Sequence, residues 1–403
     1  MTEIRGTRLL RFNSTLLKAV NATIMKRPIF IFLAAAYVLG ASCQDAAINY
    51  YNLGVKAMQD GDTTAAVDYL EKSLAIRNND PDTHINLGCA LFSRGQYEDA
   101  LREFQTALES HQDDPELHYN IGETYSALNH LQSAKSEYEY AIRLERDFVE
   151  ALASYGKILL DLGNYDAAQK NLIHAITVKP SYSKSYTYLG WVYAMQEKYY
   201  EASTYLYRAL KYEPTSSLAR LGVAYTLLKR EMFGEALKEY QKVYGRDSTD
   251  TEAMIGIGQC YIGTGALIHA RKILLAAVQR RQIFPEAYRA IGDLYFKQQE
   301  YVQAVGSYRM AVHQRENFTD AHIGLGVSFM AINELEDAEE SFKKASYHSP
   351  NDPRPLYHMG QLYIKKGNKD RSRYYLNEAL KKVEKHSDLE DSIKKLLNAL
   401  PSD

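Results

Sequence analysis

From residue 47 to residue 386 the small and apolar positions of the chain recur every 34 residues, through ten repeats with no insertion or deletion. One position holds Gly54, Gly88, Gly122, Gly156, Gly190, Gly258, Gly292, Gly326 and Gly360, with Ala224 in the sixth repeat. Twelve residues later come Ala66, Ala100, Ala134, Ala168, Ala202, Ala236, Ala270, Ala304 and Ala338, with Ser372 in the tenth. A larger residue precedes the glycine, as in Leu53, Leu87, Ile121, Leu189 and Ile257, and Tyr125, Tyr193, Tyr261, Tyr295 and Tyr363 follow it by three. Those spacings draw one apolar stripe along a helix. Leu70, Phe104, Tyr138, Leu172, Leu206, Tyr240, Leu274, Tyr308, Phe342 and Leu376, four beyond the second small position, draw another. Each repeat therefore reads as two amphipathic helices crossing closely at small residues, because side chains at a crossing set the interaxial distance.

The prolines agree with this reading, since a helix interior rejects proline at a cost of about 3 kcal/mol. Pro180, Pro214 and Pro350 close repeats, and Pro81, Pro115, Pro285, Pro353 and Pro355 open them, where a first turn tolerates the missing N–H. Gly61, Gly95, Gly163, Gly265 and Gly367 fall in the turn inside repeats, as expected at a helix C-terminus.

This Leu-Gly, Tyr, Ala, aromatic and Pro pattern resembles the tetratricopeptide repeat over about five sixths of the chain. The resemblance implies an all-α fold: a right-handed α-solenoid of ten tandem helix-turn-helix repeats starting at residues 47, 81, 115, 149, 183, 217, 251, 285, 319 and 353. Ser387 to Glu390 reads as a capping box opening a final helix over residues 387–403. Its apolar face, Leu389, Ile393, Leu396, Leu397 and Leu400, is expected to cap the stack.

Residues 28–42 carry no charge and follow Met25-Lys26-Arg27, the order of a signal peptide. Fifteen residues of helix span roughly 22 Å, short of the ~30 Å hydrocarbon core, so a signal peptide over residues 25–42 is expected rather than a membrane span. Leu39-Gly40-Ala41-Ser42-Cys43 resembles a bacterial lipobox, although Leu39 lies four residues before the cysteine where the family usually has three. The resemblance implies lipid on Cys43, a mature start at residues 43–46 and attachment to a membrane of the cell envelope. Residues 1–24, with Arg5, Arg8, Arg11 and Lys18, read as lying upstream of a true start at Met25. The alternatives are an organelle presequence or a secreted chain.

The net charge of -2 and a pI near 6.6 argue against nucleic acid as partner, because phosphate recognition needs clustered cations. Catalysis is not expected. The chain has no Walker-type loop, no His-Glu-x-x-His and no Gly-x-Ser-x-Gly. Gly256-Ile257-Gly258 and Gly324-Leu325-Gly326 fall inside first helices, and His84, His118 and His322 share one repeat position and read as packing residues rather than ligands. No metal or cofactor is expected. Cys89 and Cys260 lie five repeats apart, too far for a disulfide.

Function is thus expected from binding, as a scaffold for protein partners in the envelope or, alternatively, as a soluble or organelle-imported adaptor without lipid. In the resembling family the second, fifth, ninth, twelfth and thirteenth positions of each repeat face the concave groove. Here these positions include Lys184, Thr187, Trp191 and Met195 in the fifth repeat and Leu221, Tyr225, Leu228 and Lys229 in the sixth. They describe an aromatic centre with basic margins, with Trp191 either contacting a peptide or packing on Tyr225. Arg289, Asp293 and Lys297 continue the strip with mixed signs. The clamp by which some of these repeats hold chaperone C-termini is missing, since Asn52, Asn86 and Asn120 lack its Lys and Arg partners.

Overall fold

The computed structural model describes residues 28–281, 283–383 and 387–400, with side chains from residue 44 onward. Met25, Lys26, Arg27 and the segment before them, and the side chain of Cys43, lie outside the described residues. Among the described residues the chain forms 21 helices and no strand. Two compact bodies, Met1–Asn164 and Tyr165–Asp403, divide it.

The N-terminal body contains α1 (Pro28–Gln59), α2 (Thr63–Ile76), α3 (Pro81–Ser93), α4 (Tyr97–Leu108), α5 (Pro115–Ala127), α6 (Leu131–Leu144) and α7 (Val149–Asp161). Helix α1 runs unbroken through Cys43, so no helix end separates residues 28–46 from the first repeat: no proline interrupts the stretch, and its alanines favour helix. Among the described residues, no helix is long and apolar enough to cross a membrane.

The C-terminal body contains α8 (Tyr165–Val178), α9 (Ser183–Met195), α10 (Tyr199–Tyr212), α11 (Ser217–Lys229), α12 (Phe233–Tyr244), α13 (Thr251–Gly263) and α14 (Leu267–Arg280). It continues with α15 (Pro285–Lys297), α16 (Tyr301–Gln314), α17 (Thr319–Ala331), α18 (Leu335–His348), α19 (Arg354–Lys365), α20 (Lys369–Lys382) and α21 (Asp388–Ala399). Within each body every helix packs on the next, and the first helix of a repeat also touches the first helix of the following repeat. Among the described residues no comparable contact links second helices, so first helices lie on the inner side of each body and second helices on the outer.

The small positions have a steric cause. A Cβ at Gly88 would lie 2.6 Å from the Phe104 ring, at Gly292 2.6 Å from Tyr308, and at Gly326 2.5 Å from Phe342. Each glycine thus receives the large residue sixteen positions later, which the second helix drives against the first. In Gly256-Ile257-Gly258 both glycines lie inside α13: Gly258 faces Leu274, and Gly256 faces Tyr240 of the preceding repeat. A third small position, not read from the sequence, holds Ala107, Ala141, Ala175, Ala209, Ala277, Ala311, Ala345 and Ala379, all fully buried, with Ser73 and Val243 completing the row.

Between the helices of each repeat one residue adopts a left-handed backbone. Gly61, Gly95, Gly163, Gly265 and Gly367 have φ between 73° and 78°, and Asn129, Glu197, Glu231, Gln299 and Asn333 take the same conformation at the corresponding positions. Glycine does so without the penalty a Cβ brings there, roughly 1–2 kcal/mol. At the far end, Ser387 accepts the Glu390 amide at 3.2 Å, and Ile393 of α21 is fully buried against Leu356, Leu376 and Ala379.

Candidate functional site

A concavity of about 730 Å3 lies in the C-terminal body. First helices α9, α11, α13, α15 and α17 supply most of its wall, as their inner position requires. Trp191, Met195, Leu221, Tyr225, Leu228 and Lys229 all line it. Thr187 does not: it is 2% exposed, and its hydroxyl donates to the Ser183 carbonyl at 3.1 Å, so the groove role expected of it is corrected to helix packing. Lys184 is exposed but outside the lining.

Trp191 both packs and lines. Its ring centroid lies 5.5 Å from that of Tyr225 with the planes tilted by 38°, and Nε1 points to the Leu218 carbonyl at 3.4 Å. The Lys229 ammonium stands 5.5 Å from the Tyr225 ring centroid, a cation–π arrangement. Three phenylalanines escaped the sequence reading. Phe233 opens α12, and Phe284 and Phe318 occupy the last position of their repeats. The signal was present at that last position. Asp80, Asp114, Ser216 and Asp250 cap the next helix from there with a side-chain oxygen, whereas Phe284 and Phe318 give no such bond and present rings to the cavity instead.

The charges around the cavity are mostly paired. Arg289 donates to Asp293 at 2.5 Å, whose other oxygen accepts Tyr308 at 2.6 Å, and Arg315 donates to Glu286 at 2.6 Å. Arg354 pairs with Asp320 at 2.9 Å. Burial raises the Asp320 carboxyl, but Arg354, Arg289 and Lys229 outweigh it and hold the group below its ordinary value. Among the described residues Lys229 makes no ion pair or hydrogen bond, although the Asp320 carboxylate acts on it electrostatically. Burial depresses its ammonium below the ordinary lysine range; Asp320 opposes this, and Arg289 and Arg354 add to it. The groove is thus aromatic and apolar, with the Lys229 ammonium over Tyr225 and within the field of Asp320.

The histidine row is a set of structural pins. His84 bonds Glu103 through Nδ1 at 2.6 Å and the Asn78 carbonyl through Nε2 at 2.9 Å, and His118 repeats this with Glu137 and the Gln112 carbonyl at 2.7 and 2.9 Å. Arg220 reaches Glu239 and the Pro214 carbonyl in the same way, and Tyr186 reaches the Pro180 carbonyl. Each pin ties the end of one repeat to the next. His322 keeps the carbonyl bond, to Glu316 at 2.8 Å, but Ser341 stands where the glutamate would be and Nδ1 is buried without a partner. Burial, then His348 and Lys344, lower its pKa despite the Glu316 bond. The unfolded chain therefore takes up a proton first as pH falls through about 6.5, and the C-terminal body should lose stability below that pH. Thermal unfolding across pH 5–8 checks this: His322→Tyr, which restores the Tyr186 arrangement, should flatten the acid slope.

Among the described residues no group of three His, Cys, Asp or Glu side chains could hold a metal ion. Cys89 and Cys260 are free, with burial raising Cys89 to about 11 and Cys260 to about 12, so neither is an activated nucleophile.

Stacked helix pairs with an inner groove define an α-helical repeat protein. Tetratricopeptide repeat profiles match residues 57–120, residues 289–353 and, with a third profile, residues 115–148, 149–182 and 353–381, and the chain belongs to the tetratricopeptide repeat family. Among solved structures, human IFIT1, a dimer with m7Gppp-AAAA, is similar at 18% identity and a TM-score of 0.60, over 80% of this chain and 81% of that one. A tetratricopeptide repeat protein from Parabacteroides merdae has 17% identity and a TM-score of 0.50 over 62% of this chain and 98% of its own. Yeast Tom70 has 12% identity and a TM-score of 0.50 over 88% and 95%. These likenesses concern the fold. No curated protein sequence matches the chain.

Proposed function

We propose that the protein is a non-enzymatic scaffold whose C-terminal groove receives an extended segment of a partner protein. The observation that carries the reading is the cavity itself, where Trp191, Tyr225 and three phenylalanines converge with Lys229, which makes no ion pair among the described residues. Aromatic anchors in a concave pocket are where binding energy concentrates. A segment with a bulky apolar side chain followed by a carboxylate fits, the first against Trp191 and Tyr225 and the second on Lys229. The RNA named with IFIT1 does not transfer to this groove, because Arg289, Arg315 and Arg354 are already engaged by carboxylates.

Trp191→Ala combined with Tyr225→Ala is expected to weaken capture of partners from envelope extracts by more than about 1 kcal/mol, with helicity by circular dichroism intact. Unchanged capture moves the binding site elsewhere. The address rests on the segment before Cys43: the same reading has the chain lipidated there and held at a membrane of the bacterial envelope, assisting assembly of protein complexes. Mass analysis of the mature N-terminus decides this part. An acylated chain starting at Cys43 supports it, and an unmodified N-terminus replaces it with a soluble adaptor.

A further inference from the structure

The second helices of the C-terminal body are not alike in charge. Helices α8, α10, α12, α18 and α20 each carry at least one Asp or Glu, whereas α14 and α16 carry none. In their place stand Arg271, Lys272 and Arg280 on α14 and Arg309 on α16. This runs against a chain whose net charge is -2.

The same two helices expose aliphatic side chains on their outer side. Ile268 is 83% exposed and Val302 69%, at one repeat position in neighbouring repeats. Ile268, Lys272 and Leu275 follow the i, i+4, i+7 spacing of a single helix face, and Ile283, 72% exposed, borders a hollow with Met310 between the two helices. Among the described residues Lys272 and Arg280 make no ion pair, although Arg280 helps hold the Asp247 carboxyl down, and Arg271 meets Glu300 at 3.7 Å. The face therefore carries an excess of cations, with Arg271 also over the Tyr295 ring and Arg309 over that of Phe329, interspersed with aliphatic tips that water surrounds.

We propose that this outer face of α14 and α16 docks on an anionic phospholipid bilayer, independently of the groove and of Cys43. Charge complementarity calls for a dense negative surface. The single aliphatic side chains set among cations fit an interface where apolar tips enter the acyl boundary and Lys and Arg stay at the phosphate level. An acidic amphipathic helix is the rival occupant. A protein interface of this kind concentrates its apolar residues in a core behind a polar rim, and here they are dispersed among the charges.

The test uses the full chain with Ile268→Trp, a substitution at a solvent-exposed site, against the parent whose sole tryptophan is Trp191. Vesicles are phosphatidylcholine alone, or with about 30% phosphatidylglycerol, each carrying a brominated acyl chain. On anionic vesicles the introduced indole should shift blue and be quenched severalfold. On neutral vesicles it should stay water-exposed even where the N-terminal segment holds the chain to the bilayer. Adding Lys272→Glu and Arg280→Glu should abolish the quenching. An indole that remains exposed on anionic vesicles, or is quenched equally on both, overturns the proposal, as does a blue shift produced by an acidic helical peptide in place of lipid. Because the contrast is read at the introduced indole, a failed lipid anchor or an empty groove leaves it interpretable.

Discussion

Phe342→Ala is expected to destabilise the C-terminal body by about 3–5 kcal/mol, the cost of emptying a fully buried aromatic site. Phe342 has no exposed surface, and its ring occupies the place where Gly326 has no side chain: a Cβ there would lie 2.5 Å from the ring. Gly326→Val alone should also destabilise, by about 1–3 kcal/mol, because the helix crossing must open to admit it. Together the two substitutions should cost less than their sum, since the valine fills part of the cavity the alanine leaves. Denaturant unfolding of the single and double variants checks the coupling. Strict additivity would mean that the glycine and the aromatic do not share one site. Because repeat proteins transmit stability through neighbouring interfaces, loss should be greatest in α17 and α18 and decline away from them, as hydrogen exchange would report.

Arg220→Met should cost about 2–4 kcal/mol. The Arg220 and Glu239 side chains are only 13% and 16% exposed, and removing the guanidinium takes a partner from both the carboxylate and the Pro214 carbonyl, leaving the carbonyl only the longer bond from Arg246. Lys242, 2.6 Å from the other Glu239 oxygen, keeps the loss from being larger. Arg220→His should recover most of it, since His84 and His118 span the same pair of acceptors in earlier repeats. The pH dependence has a fixed sign. Burial raises the Glu239 carboxyl, but the hydrogen bonds from Lys242 and Arg220 more than offset this and leave it below its ordinary value. Its contribution is therefore fully present above about pH 4.5 and is lost as pH falls through the lowered folded value. In Arg220→Met that acid-dependent part should shrink, which chemical denaturation at pH 3 to 6 measures.

Helix boundaries and small positions were legible because period and sterics act locally. The glycine at Gly88 and the ring at Phe104 are separated by sixteen residues, and every repeat restates the pair. The pins were half legible. His84, His118 and Arg220 could be seen to share a position, but Glu103, Glu137 and Glu239 nineteen residues on were not read with them. The link is a hydrogen bond between helices, which hydrophobic periodicity does not encode. Thr187 was misplaced for a related reason. Its repeat position faces inward in general, yet a short side chain that donates to its own helix stays beneath its larger neighbours.

By itself the sequence determined the helix-pair repeat, its register and the absence of recognisable catalytic motifs, because a 34-residue period in unbroken register admits one way of burying its apolar stripes. Tertiary structure decided which inward residues form a cavity, that Phe233 joins it from the start of α12 and Phe284 and Phe318 from the turns between repeats, and that Lys229 lies over Tyr225 without an ion pair among the described residues, where the neighbouring arginines are paired. It also decided that the acid-free faces of α14 and α16 lie on the outer side. Those outcomes depend on how successive repeats set their side chains against one another across many residues, and that geometry exists only once the helices have stacked.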